Sequence, residues 1–158
     1  RQVGYVFAYV GMLSAVLQGG LIGRLAQRFG EERLVLAGLA LLGFGLLLMP
    51  FARGLDWLLL ALAALAVGMG LTQPSLTALV SRRAGGEEQG EVLGVTQSVG
   101  SLSRVLGPMA AGWFFASLGR ASPFWWEAAL VAAALFLAWP LLRGLEQAGL
   151  WRQEGPAE

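Results

Sequence analysis

The 158-residue sequence contains no cysteine, no histidine and no lysine. Without cysteine there is no disulfide framework, no thiolate nucleophile and no cysteine metal site. Without histidine, the usual general base and metal ligand are also missing, and a serine has no imidazole to activate it. The single aspartate, Asp56, falls in a short connection, so an aspartate dyad cannot form. These absences argue against an enzyme, and neither a metal nor a cofactor is expected. Charge is scarce as well: 13 % of residues are charged, against about 25 % in average usage. That is too little to cover a water-exposed globule of this size. The net charge of +1 suggests no nucleic acid or acidic partner. No phosphate-cradling glycine loop is present, so nothing supports ATP-driven chemistry.

What is abundant is apolar surface. Hydrophobic residues make up 56 % of the chain, and mean hydropathy is +0.64. Five apolar segments, approximately 3–22, 34–52, 57–80, 92–118 and 123–142, each approach the roughly 20 residues needed to cross about 30 Å of hydrocarbon. The connections, 23–33, 53–56, 81–91 and 119–122, are short enough to force neighbouring helices antiparallel. The expected fold is all-α, an integral membrane up-and-down bundle of five transmembrane helices over 1–143, with a tail over 144–158.

Arginine placement orients the bundle. Arg24, Arg28, Arg33, Arg82, Arg83, Arg143 and Arg152 fall on one side, against Arg1, Arg53 and Arg120 on the other; Arg104 lies inside a segment. The excess places the first loop, the third loop and the carboxyl terminus in the cytoplasm. Trp57, Trp125 and Trp126 then gather near the outer interface, and Trp139 lies about 20 Å further along the last helix. The chain begins with Arg rather than Met, and no basic n-region precedes the first apolar run. It is therefore expected to be a piece of something longer, with at least one helix upstream.

The five segments differ in polarity. The second has no polar side chain, and the fifth carries only Glu127; helices so apolar are expected to face lipid. The first carries Ser14 and Gln18, and the third Thr72, Gln73, Ser75 and Thr77. The fourth is the most polar. Its Gly94, Gln97, Ser101, Arg104, Pro108 and Gly112 recur at three- and four-residue intervals, which puts them on one helix face. Polar groups in hydrocarbon need partners, so these three helices should face one another, another part of the protein, or a watery cavity. Pro74 and Pro108, the latter after Gly107, are expected to bend their helices.

Four stretches together resemble a known family. The loop G-R-L-A-Q-R-F-G-E-E-R, containing Gly23, Arg24, Arg28, Gly30 and Arg33, resembles the loop signature of the major facilitator superfamily. It has Gln27 where that signature has an acid. The preceding F-A-Y-V-G-M-L-S-A-V-L-Q-G is similar to the eighth helix of drug/proton antiporters. G-L-T-Q-P-S-L-T-A-L-V-S-R resembles their tenth helix, and E-E-Q-G-E-V-L-G-V-T-Q-S-V-G-S-L-S-R-V-L-G-P their eleventh. The resemblance implies helices eight to twelve of a twelve-helix transporter in the plasma (cytoplasmic) membrane. It also implies that the helices equivalent to the first, third and fourth segments line the cavity, while the second and fifth sit outside. Its implied activity is proton-coupled efflux of a small molecule by alternating access. The partners are that molecule, protons, the lipid bilayer and a missing amino-terminal half.

The candidate substrate-cavity or coupling residues are Arg104, Gln97, Ser101, Gln73, Gln18 and Glu127. Arg104, costing about 2.5–3.5 kcal/mol at mid-helix, must face protein or water. It either orients an anionic group or coupling carboxylate, or serves structurally by capping carbonyls freed near Pro108 or snorkelling. Glu127 is the only carboxylate inside a segment; its place behind two tryptophans favours an interfacial anchor over proton coupling. The glutamines bond either a substrate or neighbouring helices. Glu31 and Glu32 are available to pair with the arginines of the first loop, and Arg82, Arg83, Glu87 and Glu88 read as a solvated loop. The tail, with Leu150 and Trp151, reads as a segment on the membrane surface. A non-transporting scaffold or a self-associating helical bundle is the alternative to a transporter.

Overall fold

A computed structural model describes residues 2–84 and 89–147. All regular structure among them is helical. The order is α1 (Gln2–Val16), a π turn (Leu17–Leu21), α2 (Ile22–Phe29), α3 (Glu31–Leu48), a 3-10 turn (Met49–Phe51), α4 (Leu55–Arg83), α5 (Gln89–Leu118) and α6 (Ser122–Gln147). The first three pieces run on as one interrupted rod, so five rods form the bundle. The carboxyl tail beyond Gln147, with Leu150, Trp151 and Arg152, lies outside the described residues, as do Arg1, Glu87 and Glu88 and the side chains of Arg83 and Arg143.

Four runs, Gly4–Phe29, Glu31–Phe51, Leu55–Arg82 and Ser122–Pro140, are long and apolar enough to cross a membrane. The fifth rod, α5, has ample length at 30 residues. Its polar stripe dilutes its apolar character, and it is not among those four.

One expectation needs correction. The first loop is not a loop: α2 carries the helix to Phe29 and α3 begins at Glu31, leaving Gly30 alone outside helical geometry. Ile22, Leu25, Ala26 and Phe29 recur at i, i+3, i+4 and i+7, which sustains a helix despite the arginines between them. Gly30 ends it with φ 82°, a left-handed turn that glycine alone adopts without strain. Its N–H donates to the Ala26 carbonyl at 2.9 Å. The prolines, by contrast, do not interrupt secondary structure; α4 and α5 continue through Pro74 and Pro108. Non-helical backbone falls at Gly19 (φ −71°, ψ 17°) and Gly20 (φ 127°, ψ −12°).

α3 keeps one exposed face, at Ala37, Ala40, Phe44 and Leu47. It is the hub, lying along α4 over most of its length and along α6 on another side. Leu34, Val35, Gly38, Gly45 and Leu46 are all buried. The cause is glycine. A Cβ at Gly68 of α4 would stand 2.8 Å from the Gly38 carbonyl oxygen and 2.8 Å from the Leu42 nitrogen. One at Gly38 would meet Thr72 Oγ1 and the Gly68 carbonyl oxygen, and one at Gly45 would lie 3.0 Å from the Ala61 carbonyl oxygen. Backbones touch because side chains are missing. In lipid, where apolar burial offers no preference, such close packing is what drives helices together. The contact with α6 is looser: a Cβ at Gly43 would lie 3.6 Å from Val131 Cγ1.

The end of the bundle where α5 turns into α6 is tied by aromatic rings. Phe51 meets Trp125 edge-on at 5.9 Å between centroids, and Phe114 stacks on Trp126 at 4.8 Å. The Ser122 hydroxyl donates to the Phe114 carbonyl at 2.7 Å, closing the α5–α6 hairpin.

Gly68→Val drives a branched side chain into backbone that cannot yield. It should cost about 2–3 kcal/mol or more, read as a lower thermal midpoint in detergent. Gly94→Ala, whose Cβ meets nothing within 4 Å, should be neutral to slightly stabilising.

Candidate functional site

The polar face of α5 is held at its ends and free in its middle. At one end Gln89 Nε2 donates to the Ser81 carbonyl at 3.2 Å and to the Ser81 hydroxyl; at the other is the Ser122–Phe114 tie. Between them every residue from 101 to 109 is exposed, as are 94–99. Three hydroxyls on this helix are satisfied by their own backbone: Thr96 donates to Val92, Ser98 to Gly94 and Ser103 to Val99, at 2.8, 2.8 and 2.9 Å. Such back-bonding leaves them little capacity for anything else. Gln97, Ser101 and Arg104, one turn apart on a single face, have no hydrogen-bond or ion-pair partner among the described residues. The Arg104 guanidinium lies along its own helix, with Nη2 4.0 Å from the position of a Cβ at Gly100. It caps none of the carbonyls near Pro108.

The first rod and α4 meet at the π turn. Leu17, buried at the π turn, packs on Gly70, with its Cδ1 3.3 Å from the position of a Cβ there. Gln18 and Gln73, both exposed, flank this crossing from their two helices. The remaining α4 polar residues divide by face. Thr72 Oγ1 donates to the Gly68 carbonyl at 2.8 Å beside α3, while Thr77 Oγ1 donates to the Gln73 carbonyl at 2.9 Å on the exposed side. Ser75 is 1 % exposed and its hydroxyl is unpartnered; nothing in the sequence singled it out from its neighbours.

Glu127 is exposed near the start of α6, directly after Trp126. Helical rise puts it about 13 Å from Arg104 along the bundle axis, so these two candidates are not brought together. α1 and α5 share no extended contact, and Gln18 does not join the α5 stripe. Among the described residues no group of acids could hold a metal ion.

The opposite end carries the charge. Glu31 pairs with Arg82, Oε1 to Nη2 2.9 Å, rather than with Arg24 or Arg28. The signal was available: an acid in the first turn of α3 and a base in the last turn of α4 each suit their helix dipole, and an antiparallel hairpin sets them opposite. Arg28 instead lies over the Phe29 ring, 5.5 Å from its centroid. Arg33 is engaged and Gly23 is exposed.

The profile of the Major Facilitator Superfamily matches residues 1–158. The chain belongs to that superfamily. Its members are transporters and not enzymes, in accord with the missing catalytic groups. This superfamily chain is 33 % identical over 136 residues to the tetracycline resistance protein, class C, of Escherichia coli, covering 85 % of the chain and 33 % of that protein. It is 32 % identical to the class G protein of Vibrio anguillarum, covering 89 % and 35 %. With solute carrier family 22 member 18 of Rattus norvegicus it shares 35 % identity, covering 75 % and 29 %. The chain thus spans about one third of the length of the curated relatives it matches. No solved structure matches it.

Because Arg82 is 68 % exposed, its pair with Glu31 should be worth less than about 1 kcal/mol. In a double-mutant cycle, Arg82→Ala and Glu31→Ala should each cost no more than that. The double variant should cost about the same as either single one.

Proposed function

We propose that the chain forms helices eight to twelve, the carboxyl-terminal bundle, of a secondary transporter that exports a small molecule in exchange for protons. The bundle comprises 1–143, in the cytoplasmic membrane, with 144–158 as a cytoplasmic tail. The seven-to-three arginine bias supports that orientation. The observation that carries the reading is the Gln97–Ser101–Arg104 face. Three polar side chains on one turn-to-turn line of a helix in a membrane bundle, all unpartnered among the described residues, need water, substrate or the other half of the protein. Relatives named for tetracycline resistance support efflux as the direction.

In this reading the bundle rocks against an amino-terminal bundle around a midplane site. Arg104 supplies a fixed positive charge there, for an anionic part of the substrate or for a carboxylate of the other half. Gln97 and Ser101 donate and accept hydrogen bonds one turn away on the same line. Gln18 and Gln73 offer amides at the α1–α4 crossing, and Glu127 remains an anchor at the outer interface.

Arg104→Ala in the full-length transporter should abolish flux in everted vesicles while membrane expression holds. Wild-type flux in that variant removes Arg104 from the site.

A further inference from the structure

The first rod is longer than a bilayer requires. Gly4–Phe29 is 26 residues, about 39 Å at helical rise, against about 30 Å of hydrocarbon. The rod breaks at Gly19 and Gly20, so residues 4–21, about 27 Å, already fill the apolar core. α2 is left over at its edge. Two positive-φ glycines, Gly20 and Gly30, stand before and after it.

Its surface matches that position. Ile22, Leu25, Ala26 and Phe29 form one face, and Arg24, Gln27 and Arg28 the other. No residue of α2 is buried, and Phe29 is 45 % exposed beneath the Arg28 guanidinium. It touches α3 and α4 only lightly. Arg24 and Arg28 make no ion pair among the described residues, and Glu31, the first acid after them, is held by Arg82. An amphipathic basic helix at the hydrocarbon boundary is the pattern of an interfacial anchor.

We propose that α2 lies in the headgroup layer and that Arg24 and Arg28 bind the phosphates of acidic phospholipids. The planar guanidinium fork matches a phosphodiester bidentately. Leu25 and Phe29 sink into the acyl boundary while Arg24 and Arg28 reach outward to the phosphates. This surface is separate from the α5 stripe, and its failure would leave the transport reading untouched.

The test is amide hydrogen exchange on the native protein in nanodiscs of phosphatidylcholine alone and of phosphatidylcholine mixed with phosphatidylglycerol. Protection over residues 22–29 should rise roughly thirtyfold in the acidic membrane, near fivefold for each arginine. Arg24→Gln with Arg28→Gln should remove that gain with α3 and α4 protection unchanged. Equal protection of the wild-type segment in the two membranes overturns the proposal without any variant. A gain that survives the glutamine pair overturns it as well.

Discussion

Backbone contact between α3 and α4 at Gly38, Gly45 and Gly68 is the constraint on which the bundle depends. In water a helix pair is held by apolar burial, but in a bilayer lipid tails are as good a neighbour as leucine. What remains is dispersion at short range, and that requires the absence of side chains at the crossing. Each of the three glycines has a backbone carbonyl oxygen within about 3 Å of where its Cβ would be. With that seam closed, α3 has another side for α6, and α4 has Gly70 for Leu17 of the first rod.

The same arrangement leaves α5 aside. It is fixed to α4 through Gln89 and Ser81, and to α6 through Ser122, Phe114 and Trp126. Between those ties its middle touches little. A hydrophobic helix so placed would face lipid; this one carries Gln97, Ser101 and Arg104. The supporting elements are therefore the least polar spans, α3 and α6, together with the glycine face of α4. The polar chemistry sits on helices that the support holds but does not cover. The glycines account for how this division is built.

Much of this was legible from composition and hydropathy. The helical membrane class, the five rods and the α5 stripe follow from apolar length and three-to-four spacing. The hub position of α3 did not, because apolar length does not show which of its glycines meet Gly68 on the next helix. Arginines hid α2: Arg24 and Arg28 read as a loop although the apolar residues between them kept helical register. Pro74 and Pro108 were expected to bend α4 and α5, which continue through them; the non-helical backbone at Gly19–Gly20 was not anticipated, although two adjacent glycines cost least to distort. The Glu31–Arg82 pair needed the hairpin register, which hydropathy does not supply. Glu127 and Arg104 share a sequence signal, charge within an apolar run, and only axial position separates them.

The claim at the centre of this account is that the α5 stripe meets water rather than lipid. The chain has no cysteine, so single cysteines placed in the native protein, in a background otherwise free of them, report local solvent without interference. Gln97→Cys and Ser101→Cys should react with a membrane-impermeant maleimide, while Phe136→Cys, at a site 79 % exposed on the last span, should stay inert in lipid. Stripe positions as unreactive as Phe136→Cys would contradict the account.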